Sequence, residues 1–125
     1  MDSIQSALRA WNENSVDIIN LKISRLGGLS KSKLFKDICC SLGISLTIED
    51  SWGSQIADAA IGHLAHTTPA ELHFQSSAFH EYTNVVTAEG APTVKEGYMY
   101  CSENPGLGII PNHKELGNPV LHFFD

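Results

Sequence analysis

With 125 residues, 42% of them hydrophobic, the chain has the length of one domain and enough apolar side chains for a core. Eight basic residues against fourteen acidic ones give a formal charge of −6 with no basic block, which makes nucleic acid and anionic membranes poor partners. No apolar run approaches a membrane span, and Met1 is followed by Asp2 and an amphipathic stretch instead of a signal pattern.

The first helix is expected to start at Asp2 or Ser3 and run to about Asn14, with Ile4, Ala7, Leu8 and Trp11 on one face. Residues 18–23 then form a β-branched run of the kind a strand covered on both faces needs, with Lys22 at its carboxyl end. An ammonium withdrawn from water must find a partner or shift its proton equilibrium, so this lysine is a candidate acid/base; the alternative is a lysine snorkelling from the strand end. Gly27 and Gly28 make a turn, and a helix starting at Ser30 is expected to bury Leu34, Ile38 and Leu42 before Gly43 stops it. The glycine pair lacks the further residues of a phosphate loop. Residues 44–48 read as a second strand, closed by Glu49, Asp50, Ser51, Trp52 and Gly53. A third helix, 54–66, presents Ile56, Ala59, Ala60, His63 and Leu64, and a third strand covers 72–74. His63 and His66 lie three apart, but a helix packed on a sheet faces strands and not an ion, so no metal site is assigned.

Strands recurring about 27 residues apart with helices between them indicate parallel βα construction, which brings all strand carboxyl ends to one side. Lys22, the 49–52 cluster and residues 75–79 should therefore share a face, the one on which α/β barrels do their chemistry. From about Val85 the repeat stops. The remainder is turn-rich, with short extended pieces at 93–94, 97–101 and 120–123, and a helical turn from Pro111 through Leu116. Cys39, Cys40 and Cys101 make an odd set without pairing logic, which points to reduced thiols in a cytoplasmic location.

DIINLKISRLGG (17–28), EDSWG (49–53) and AEGAPTVKEGYMYCSENPGLGI (88–109) resemble the carboxyl-terminal part of the enolase superfamily, in its mandelate racemase/muconate-lactonizing subgroup, and there the branch of hydroxyproline dehydratases and epimerases. The resemblance implies an α/β fold comprising about strands six to eight of a TIM barrel over residues 1–84, with a turn-rich extension over 85–125 packing on a capping domain. It also implies a lyase or epimerase that removes the α-proton of a small, amino-acid-type carboxylate, assisted by Mg²⁺ in the full-length enzyme. Lys22 matches the catalytic lysine of the sixth strand. Glu49 and Asp50 match acidic positions after the seventh, with Asp50 the preferred partner for a substrate ring nitrogen; helix capping is the competing role for this pair. Trp52 is a candidate pocket wall, and Ser76, Ser77 and Phe79 fall where the family places specificity residues.

The family's Lys-x-Lys motif and its three acidic metal ligands belong to strands two to five, which have no counterpart among these residues. The chain therefore reads as a carboxyl-terminal fragment or truncated product without turnover of its own. Its expected partners are the missing front of the barrel, the capping domain, a small carboxylate substrate and, as in the family, other copies of the enzyme. A non-catalytic half-barrel or interaction module is the other reading, since an unpaired strand at 18–23 would seek a neighbour.

Overall fold

The computed structural model describes residues 1–123; Phe124 and Asp125, the end of the expected extension, lie outside the described residues. Helix α1 spans Ile4–Asn12 and is capped by the Ser3 side chain, which accepts from the Ser6 amide. Ala7 is buried, but Leu8 and Trp11 are more than 40% exposed, so the expected apolar face is narrower than the spacing suggested. Trp11 still docks, donating its indole N–H to the Leu42 carbonyl at 3.1 Å.

Three parallel strands follow: β1 (Ile18–Lys22), β2 (Ser45–Glu49) and β3 (His73–Ser76), in the order β1-β2-β3. Between them lie a single helical turn α2 (Ile23–Leu26), helix α3 (Leu29–Ser41) and helix α4 (Gln55–His66). Ile23 thus opens α2 instead of ending the strand. Gly27 ends that turn at φ 86°, a left-handed conformation that suits glycine, and α3 begins at Leu29, one residue before the expected Ser30.

Alternation along the strands decides what faces where. Ile19 and Leu21 of β1 and Leu46 and Ile48 of β2 are buried against Phe35 and Cys39 of α3 and Ile61 and Leu64 of α4. Ile18, Asn20 and Lys22, in register with Ser45, Thr47 and Glu49, point to the other face. Helices cover one side of the sheet and, apart from Ile18, the β1 and β2 side chains on the other are polar.

Helix α3 is rotated from expectation. It buries Ser32, Phe35, Lys36 and Cys39, while Leu34 is 55% exposed. The cause is the doublets Leu34-Phe35 and Ile38-Cys39, which give two apolar stripes one residue apart; the phenyl ring, the larger group, takes the core. The buried thiol of Cys39 is pushed up to about 12 by loss of hydration and stays protonated, and all three cysteines are free. Lys36 reaches from α3 to the end of α4, donating to the Thr67 carbonyl at 2.7 Å and to the Thr67 hydroxyl at 3.1 Å, with Asp37 2.9 Å away. A cation there meets the negative end of the helix. Replacing Lys36 with Met keeps the stem and removes the ammonium; urea unfolding should show a loss of about 1–2 kcal/mol.

Helix α4 buries Gln55, Asp58, Ala59, Ile61, Gly62 and Leu64, so Asp58 and Ile61 belong to the core set and the expected Ile56 and His63 are only half-buried. The third strand lies at His73–Ser76, not 72–74, with Phe74 at a register shift and 61% exposed. A 3-10 turn (Phe79–Tyr82) follows. Beyond it β4 (Ala88–Glu89) pairs with β7 (Ile110–Pro111), and β5 (Thr93–Lys95) with β6 (Tyr98–Tyr100). The last helical turn, α5 (His113–Leu116), is capped by Asn112. No strand forms at 120–123. The terminal segment lies on α4: Gln55 accepts from the Thr87 amide at 2.9 Å and from its hydroxyl at 2.5 Å, and Met99 packs on the core.

Candidate active site

The strand register sets the site. Lys22 and Glu49 are direct partners across β1 and β2, at the carboxyl ends of both strands and on the face without helices. Their charged groups meet, Nζ to Oε1 at 3.1 Å, with about a quarter of the lysine side chain exposed. Asn20, one full alternation earlier on β1, donates its amide to the same Oε1 at 2.8 Å. From beyond β3 the Ser77 hydroxyl donates to Oε2 at 3.3 Å. One carboxylate is thus held by three neighbours, two from β1 and one from the residue after β3. Asn20 is the member that sequence reading passed over; its place two residues before the lysine, on the same face of a strand, was the available signal.

Burial alone would raise the Glu49 carboxyl, but the hydrogen bonds from Asn20 and Lys22, the charge of Lys22 and the Ser77 hydroxyl outweigh it and hold the group below the ordinary 4.5. A lowered value in the folded chain means that the pair stabilises the fold above pH 4.5 and that this contribution disappears as pH falls through the folded value. A carboxyl ¹³C titration of Glu49 should show its midpoint below 4.5, and Asn20→Leu should move it upward. A midpoint unchanged by that substitution would mean that Asn20 does not hold the carboxylate.

Asp50 is placed differently. It is buried and turned back across the sheet, accepting from the Ser24 amide at 3.0 Å, from the Ser24 hydroxyl, and from the Ser51 amide at 2.7 Å. It therefore caps the turn α2 on the neighbouring strand and not the helix that follows it, whose cap is Ser54. The carboxylate beside Lys22 is that of Glu49.

Trp52 stands in the left-handed region at φ 69°, a strained conformation for a bulky residue, with 70% of its surface exposed. Its ring meets Phe79 edge-on at 5.7 Å and Tyr82 at 6.1 Å. Phe79 and Ser76 also line a cavity of about 900 Å³ between β3, the end of α4 and the β5–β6 hairpin, together with His66, Tyr82 and Tyr98. His73 lines it too, and burial lowers its imidazole below the ordinary 6.5. That cavity flanks the edge strand β3 and is lined also by Ser77, whose hydroxyl bonds to Glu49, the ion-pair partner of Lys22 on β1.

Residues 1–115 match the family model described as Enolase C-terminal domain-like. The chain belongs to this family. The enolase C-terminal domain is an α/β, TIM-barrel-like fold, and the parallel βα order of this chain agrees with it. The chain is 47% identical over 123 residues to cis-3-hydroxy-L-proline dehydratase of Roseibium aggregatum, covering 98% of itself and 34% of that enzyme. It superimposes on a mandelate racemase/muconate lactonizing enzyme from Roseovarius nubinhibens with a TM-score of 0.91 at 39% identity, over 96% of this chain and 32% of the other. A member of the enolase superfamily from the same organism, solved with magnesium, gives a TM-score of 0.87 at 31% identity over 94% and 32% of the two chains. This enolase-type domain thus spans about a third of the length of the relatives it matches.

No three His, Cys, Asp or Glu side chains gather among the described residues as a metal centre requires. Both oxygens of Asp50 are taken up by Ser24 and Ser51, and both of Glu49 by Asn20, Lys22 and Ser77. The described residues do not fit a resident magnesium ion.

Proposed function

We propose that residues 1–84 supply strands six to eight of a barrel in an enolase-superfamily lyase or epimerase, that 85–125 form the extension that meets the capping domain, and that Lys22 transfers the α-proton of a small amino-acid-type carboxylate resembling hydroxyproline. The observation that carries this reading is the position of the Lys22 ammonium: at a strand's carboxyl end, on the face without helices, 3.1 Å from a carboxylate itself fixed by Asn20 and Ser77. Glu49 keeps the amine oriented and offers the anion that a substrate ammonium requires, a role Asp50 is turned away from. Trp52 and Phe79 contribute an apolar wall, and Ser77 a hydroxyl at the rim. The divalent ion of the complete enzyme is held by residues outside this chain.

The test is a hybrid in which residues 1–123 replace the matching third of the Roseibium aggregatum dehydratase. The hybrid should exchange the α-proton of cis-3-hydroxy-L-proline with solvent deuterium. A folded hybrid without exchange would overturn the reading.

A further inference from the structure

Asp58 is a fully buried carboxylate near the start of α4, outside the Lys22 cluster. One of its oxygens, Oδ2, receives two bonds from the same residue of the 3-10 turn: the backbone amide of His80 at 2.8 Å and its ring Nδ1 at 2.5 Å. A carboxylate only accepts, so the ring proton sits on Nδ1. The other oxygen, Oδ1, has no hydrogen-bond partner among the described residues and stands 3.9 Å from where a Cβ on Gly53 would be. That Cβ would also fall 2.4 Å from the Ala57 side chain, so the 50–53 loop is seated directly on the first turns of α4. The two segments tied to α4 at this point carry the aromatic side chains, Trp52 beside Gly53 and Phe79 and Tyr82 on either side of His80.

The arrangement costs stability in two ways. A carboxyl oxygen is buried without a partner among the described residues, and Trp52 is held left-handed. Such features persist where the surroundings over-determine them, and what they hold in place here is the meeting of three rings at the rim.

We propose that Asp58 and His80 are positioning residues: their double hydrogen bond fixes the 3-10 turn on α4 so that Phe79 and Tyr82 meet Trp52 as one wall of the substrate pocket. The pocket itself rests on the function proposed above; the wall does not.

The chemistry dictates the variants. Asparagine places a side-chain N–H where Nδ1 stands and can reach Asp58, whereas glutamine extends one bond too far and alanine offers none. In the isotopically labelled 125-residue chain, nuclear Overhauser contacts between the Trp52 indole and the Phe79 and Tyr82 rings should survive in His80→Asn. They should weaken at least about threefold in His80→Gln and His80→Ala, with far-ultraviolet circular dichroism unchanged in all three. In the hybrid enzyme His80→Ala should raise KM about tenfold with kcat within about twofold, and His80→Asn should restore KM, because misplacing a contact that orients substrate weakens its hold. Ring contacts retained in the alanine and glutamine variants would overturn the latch. Lost contacts with an unmoved KM would overturn its bearing on substrate. An inert hybrid would count against the proposed function alone, since the ring contacts are read without turnover.

Discussion

Lys22→Ala in the hybrid enzyme is expected to lower α-proton exchange about a thousandfold, in the middle of the range for loss of a positioned acid/base. The amine reaches the open face from the last residue of β1 and has one anion within ion-pair distance among the described residues, Glu49. Alanine removes the amine and leaves Glu49 with Asn20 and Ser77, so the carboxylate is still bonded and the sheet register, set by Ile19, Leu21, Leu46 and Ile48, has no reason to shift. Substrate affinity should change little while exchange collapses. Lys22→Arg should not rescue, because a guanidinium stays protonated and cannot act as the base. Exchange within about tenfold of the parent in Lys22→Ala would remove this residue from the proton transfer.

Gly62→Ala is expected to destabilise the chain by about 1–2 kcal/mol, although glycine to alanine inside a helix ordinarily gains about 1 kcal/mol. Gly62 lies in α4 where the terminal segment crosses it, and a Cβ there would fall 2.0 Å from the Cys101 sulfur and 3.4 Å from that of Met99. The overlap has to be relieved by lifting the strand β6 and its neighbour off the helix. Hydrogen exchange should then show lost protection at residues 98–101 before the core is affected. Cys101→Ala removes the obstructing sulfur, so the double variant should recover the helix gain, with a coupling above about 1 kcal/mol in the cycle. Stabilisation by Gly62→Ala alone would mean that the terminal segment is not seated on α4.

Much of the candidate site was accessible from residue order because its choice depends on chemistry that does not need distance. That a lone lysine at the end of an apolar strand, two acids at the end of the next and a serine after the third gather at one end of the sheet follows from the βα period alone. The choice between Glu49 and Asp50 was not accessible. Adjacent residues on an extended segment point to opposite sides, and which side is open depends on where the helices lie. The same limit explains helix α3, where two equally good stripes differ by one residue, and Asp58, whose burial is intelligible only once His80 is brought onto α4.

Residue order by itself determined the alternation of helices and strands, the parallel sheet and the family, because these depend on local periodicity and on short runs such as NLKISRLGG and EDSWG. Only the folded chain decided the partners: Glu49 with Lys22, Asp50 with Ser24, Asp58 with His80, Cys101 against Gly62. Each of these pairs joins residues from different elements, more than twenty positions apart. Their meeting is set by strand register and helix rotation, which the burial of Phe35, Ile61 and their neighbours fixes collectively and no single stretch encodes.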